Sequence, residues 1–67
     1  MKPREVERLV LQAGWLEIEN LGRGSHRVYR HPTQAGIIVI PWHSGRDIPR
    51  GTLNQILKAA GIKDRPQ

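Results

Sequence analysis

The stretch GRGSHRVYRHP, residues 22–32, sets Arg23, Arg27 and Arg30 around the tripeptide Gly24-Ser25-His26 and contains no carboxylate. Glycine lets a backbone N–H come close to a phosphate, and a serine hydroxyl can donate a hydrogen bond to one. Histidine is the one side chain whose ordinary pKa lies near neutrality, so it can take up and return a proton at physiological pH. Together these types suit holding a phosphodiester and moving a proton on or off it. They equally suit a solvated basic surface on which His26 is an ordinary strand-start residue. Spacing alone leaves both readings open.

The remaining candidates are fewer. His43, in PWHSGR, follows a β-branched run and would lie beside His26 if the two segments pair as a hairpin, giving one acid and one base. His31 shares strand parity with Arg27 and Tyr29, not with His26. The chain has three histidines, no cysteine and no zinc-ligand spacing, and the histidines fall in a block without acids. No metal site and no cofactor is expected, because a two-metal nuclease needs carboxylates there. Phosphodiester chemistry in such a block is metal-independent, which favours RNA, whose 2′-OH is a built-in nucleophile. Trp15, Tyr29 and Trp42 are the only aromatics. Any of them could stack on a base, but with no phenylalanine available the tryptophans are first choices for packing, while Tyr29 is open.

Charge reinforces the polyanion reading. The net charge is +5, and residues 20–46 carry Arg23, Arg27, Arg30, Arg46 and all three histidines with no acid. Sixty-seven residues make a single domain, 1–67, with a modest core and no disulfide to staple it. A protein that binds only the folded form would add stability. The longest apolar run, IIVIPW, is far shorter than the roughly 20 residues of a membrane helix, and MKPREVERL lacks a signal-peptide core. A soluble cytoplasmic protein with no membrane contact is expected.

These residues must be positioned by five short elements. Val6, Leu9, Val10 and Ala13 have helical spacing, with Pro3 near the start and Gly14 at the stop. WLEIEN alternates, placing Leu16 and Ile18 on one face and Glu17 and Glu19 on the other. HRVYRH follows a glycine turn. Val28 would pull His26 toward the core, while Tyr29 would send it outward. IIVIP is apolar throughout, as in a strand covered on both faces or buried against a partner. Leu53, Ile56, Leu57 and Ala60 mark a second helix closed by Gly61. It starts either at a Thr52–Gln55 capping box or earlier, around Asp47 and Pro49. Residues 63–67 form a polar tail expected to fray. The order α-β-β-β-α with tight turns predicts an α+β two-layer sandwich: a three-stranded antiparallel sheet with both helices on one face. That is the element order of a double-stranded-RNA-binding domain.

Three pieces, GSH leading into RHP (residues 24–32), the strand entering PWHSGRDIP (37–49) and GTLNQILKAAGI (51–62), resemble the HicA toxin family in order and spacing. AGW at the end of the first helix extends the resemblance over nearly the whole chain. It implies a double-stranded-RNA-binding-like fold and a toxin that cleaves mRNA endonucleolytically without a metal. It also implies a cognate HicB-like antitoxin that neutralises the toxin. The family's catalytic histidine maps onto His26. Gly24 and Ser25 then shape the site, Arg23, Arg27 and Arg30 engage RNA phosphates, and His43 is a possible second acid/base. The free toxin is expected to be monomeric. The alternatives are a non-catalytic double-stranded RNA-binding module, which needs the basic face but no particular histidine, and a protein-interaction module whose charge only steers association.

Overall fold

The computed structural model describes residues 1–19, 24–43 and 45–62; the expected 63–67 tail and Arg23 lie outside them. Helix α1 spans Pro3–Gln12. Pro3 occupies the first turn, where its missing N–H costs nothing. The Lys2 backbone N–H donates to the Glu5 carboxylate at 2.8 Å. Val6 and Val10 are fully buried, with Leu9 and Ala13 packed beside them. Gly14, at φ +98°, turns the chain out of the helix, and the Trp15 N–H donates back to the Val10 carbonyl at 3.0 Å.

Strands β1 (Leu16–Glu17), β2 (His26–Arg30) and β3 (Ile37–Pro41) form an antiparallel sheet in the order β1-β2-β3. Strand β1 is shorter than the six-residue alternation predicts. Trp15 leaves the strand for the core, where its indole N–H reaches the Ala60 carbonyl at 3.4 Å. Beyond Glu17 the described pairing continues through one bond, from the Ile18 N–H to the Val28 carbonyl at 2.8 Å. Leu16 and Ile18 share the face turned away from the helices, and Leu16 is 58 % exposed.

Helix α2 spans Arg50–Ala59. It begins at the earlier of the two expected signals, next to Pro49, and not at the Thr52–Gln55 box. Pro49 is the cap residue, with no side-chain cap bond, and its carbonyl accepts from the Leu53 N–H at 2.8 Å. The start is held instead by Ile48, which is buried and donates its N–H to the Met1 carbonyl at 2.9 Å. Leu53, Ile56, Leu57 and Ala60 face inward as the spacing predicts. Both helices bury their stripes against Tyr29, Ile38 and Ile40, giving the two-layer α+β sandwich with one face of the sheet open. On β3 the alternation is clear: Ile38 and Ile40 are buried, whereas Ile37 and Val39 are exposed on the open face. The apolar run is thus covered on one face only. Among the described residues no helix is long and apolar enough to cross a membrane.

Candidate active site

Tyr29 decides where His26 points. Its phenol is completely buried and donates to the Glu7 carboxylate on α1 at 2.6 Å. Alternate residues of a strand face opposite ways, so Tyr29 and Arg27 face the helices. His26, Val28 and Arg30 face the open side. Gly24, at φ +59°, and Ser25 form the turn that enters the strand at His26. The far side of the hairpin closes this turn, because the Trp42 N–H donates to the Ser25 carbonyl. His26 pairs with Pro41 and is exposed.

The basic residues part company here. Arg30 is exposed on the same face as His26, roughly 13 Å further along at about 3.3 Å per residue. Arg27 sits on the opposite face. Its guanidinium is 3.6 Å from Glu7 and lies 3.9 Å from the centroid of the Trp42 ring. Glu7 therefore serves two partners, taking the Tyr29 hydrogen bond and the Arg27 charge. Burial pushes the Tyr29 phenol well above its ordinary pKa, and the hydrogen bond to Glu7 and the negative charges of Glu7 and Glu17 add to the rise. Tyr29 stays a neutral donor and is no acid–base group near neutrality.

The three histidines occupy separate environments. His31 is half-buried, with its ring edge-on to Trp15 at 5.3 Å between centroids. Its Nδ1 accepts from the Thr33 and Gln34 backbone N–H groups at 3.1 and 3.2 Å. That assigns the ring proton to Nε2, which donates to the Ala13 carbonyl at 3.2 Å. His31 is a clasp between the β2–β3 turn and the end of α1. His43 is exposed beyond the end of β3 and lines a cleft of about 300 Å³ with Lys2, Pro3, Arg4, Trp42 and Gly45. Among the described residues no hydrogen bond joins His43 to His26.

Sequence reasoning did not place Lys2 and Arg4 beside His43. Their charge was visible, but helical spacing only marks them as outward. What aims that end of α1 is tertiary: the Met1 carbonyl holds Ile48, the Lys2 ammonium donates to the Gly45 carbonyl at 3.0 Å, and Asp47 lies 3.4 Å from it. Among the described residues no three His, Asp or Glu side chains are grouped so as to hold a metal ion.

The site is thus an exposed histidine at a glycine-serine turn, on the open face of an α-β-β-β-α sandwich. No curated protein matches the chain. The family model described as HicA toxin of bacterial toxin–antitoxin matches residues 3–62 and so takes in both helices, all three strands and the Gly24–His26 turn. The chain belongs to the HicA toxin family.

Proposed function

We propose that this toxin is a metal-independent endoribonuclease that cleaves mRNA in the cytoplasm, with His26 as the general acid/base. The observation that carries the reading is the placement of His26: exposed, at the first position of β2, beside the Gly24-Ser25 turn and on the face shared with Arg30. An RNA strand laid along that face would bring a 2′-OH to His26. The imidazole takes the hydroxyl proton as the oxygen attacks the adjacent phosphorus, and the 5′-oxygen leaves with a proton from an acid. The products are a 2′,3′-cyclic phosphate and a free 5′-hydroxyl. Ser25 and the Gly24 backbone support the phosphate, Arg30 holds a neighbouring one, and Arg23 is assigned the same work by its place in the motif. Arg27 contributes by holding Trp42 against the turn. His43 remains the first candidate for the second proton-transfer group, acting from the cleft it shares with Lys2 and Arg4. The toxin acts as a monomer and is silenced by a cognate HicB-like antitoxin.

Labelled RNA incubated with wild type, His26→Ala and His43→Ala in excess chelator tests this. Wild type should cut and leave cyclic-phosphate or 3′-phosphate ends, and His26→Ala should lose about 10²–10⁴-fold in rate. Equal rates for wild type and His26→Ala, or cleavage only with added metal, would reject the mechanism. Duplex-RNA binding without cleavage by any of the three would establish a binding module instead.

A further inference from the structure

The outer edge of β3 carries an unused row of backbone hydrogen-bonding groups. In an antiparallel pair, residues alternate between exchanging both bonds with their partner and facing away from it. The bond from Trp42 to the Ser25 carbonyl fixes the phase. Stepping by two along the register makes Arg27–Ile40 and Tyr29–Ile38 the bonded pairs. Ile37, Val39 and Pro41 then direct their backbone groups outward. The bond from Ile18 to the Val28 carbonyl gives the same phase from the other side of β2, since Val28 and Arg30 are left to face β1. The edge therefore offers N–H and C=O at Ile37 and at Val39 and ends at Pro41, which has no N–H to give. No described residue pairs with β3 on that side.

The surroundings suit an added strand. Ile37 is 56 % and Val39 40 % exposed, and both side chains lie on the open face. Between this edge and α2 runs a groove of about 220 Å³, lined by Ile37, Val39, Thr52, Gln55, Ile56 and Ala59 with no charged side chain. A flat apolar edge without lysine or an inward charge is the kind that recruits another chain. Helix α2 forms the other wall, contains no acid, and carries exposed Lys58 one i,i+3 step from Gln55 on that side.

We infer that the β3 edge is a docking site for an extended, acidic segment of the cognate antitoxin, which adds to the sheet as a fourth strand through Ile37 and Val39. The inference rests on the toxin–antitoxin pairing and is independent of what His26 does. Charge selects this occupant over a second copy of the chain. Two copies paired edge to edge would set two acid-free α2 helices together, each with Lys58 bordering the groove, on chains of net charge +5. Carboxylates flanking an antitoxin strand would meet Lys58 and the positive field of the chain instead. A strand in that position lies about 10 Å from β2 at two interstrand spacings, near enough for the attached domain to cover His26.

Amide hydrogen exchange on the full chain, with and without its cognate antitoxin, tests the docking site. In the free toxin Ile38 and Ile40 amides should already be slow and those of Ile37 and Val39 fast. Complex formation should slow Ile37 and Val39 by roughly tenfold or more. Val39→Pro removes an outward N–H that β2 does not use, so it should weaken binding about tenfold or more beyond Val39→Ala, which keeps the N–H. A tight complex with Ile37 and Val39 exchange unchanged would overturn strand addition while leaving the pairing intact. Slowing that grows with toxin concentration alone would overturn it in favour of a homodimer. If Val39→Pro does not fold, the exchange pattern decides. Absence of any complex would reject the toxin–antitoxin pairing, and the docking site with it.

Discussion

At the scale of single residues, the Tyr29–Glu7–Arg27 cluster does more to define the site than any residue near the turn. Tyr29 and Arg27 both reach Glu7 from the same face of β2, which leaves His26 and Arg30 on the other. The fold favours the neutral phenol, so the native state holds that proton to higher pH than the unfolded chain does. The stabilisation is whole below about pH 10, the ordinary phenol value, and declines as pH rises beyond it. Tyr29→Phe should cost about 1 kcal/mol at neutral pH, the worth of a typical hydrogen bond, and should flatten the alkaline loss. Urea unfolding at pH 7 and above pH 10 measures both; an equally steep alkaline loss in Tyr29→Phe would refute the assignment. Local sequence showed a tyrosine beside a valine and could not rank them for the core. The deciding partner, Glu7, is far away in the chain, on α1.

Among the elements, α1 and the β2–β3 turn are joined through one tight contact. A Cβ placed on Gly14 would sit 2.8 Å from His31 Nε2, and its φ of +98° already disfavours other residues. Gly14→Ala should therefore cost about 1–2 kcal/mol from backbone conformation, with the overlap added. His31→Ala should cost about 1–2 kcal/mol through the lost clasp. In the double variant the overlap is gone and the total should fall short of the sum by about 0.5 kcal/mol or more. Strict additivity in urea melts would show that the contact carries no energy. Helix limits at Gly14 and Gly61 were readable because caps are local. The length of β1 was not, because Trp15 is drawn into the core by Ala60, a residue that no nearby pattern reveals. The choice between the two α2 starts was not readable for a similar reason, since Ile48, just before the cap, is anchored by Met1.

Over the whole molecule, charge and its compensation would set how the proposed RNA binding responds to salt. Arg30 stands in solvent, whereas Arg27 is already neighboured by Glu7. For single-stranded RNA the logarithm of affinity falls with the logarithm of salt by about 0.7 per phosphate neutralised. In a His26→Ala background, which keeps the RNA whole, Arg30→Gln should reduce that slope by about 0.7 and Arg27→Gln by less. Fluorescence anisotropy over roughly 50–200 mM salt measures this, and equal slopes for the two variants would contradict the difference in their surroundings.

What the sequence determined by itself was whatever depends on neighbours in the chain. This includes the five-element order, the apolar stripes of both helices, the acid-free basic block and the Gly24-Ser25-His26 turn. Period, turn chemistry and charge are set within a few residues, so they can be read without the fold. Only the tertiary structure decided which side of β2 His26 occupies, that Arg27 is engaged by Glu7 and Trp42, and that His31 is a clasp. It alone left the β3 edge open. Each of these rests on a contact between residues distant in the chain, or on a strand's place at the rim of the sheet. Burial and pairing across such separations are properties of the packed molecule and have no local signature.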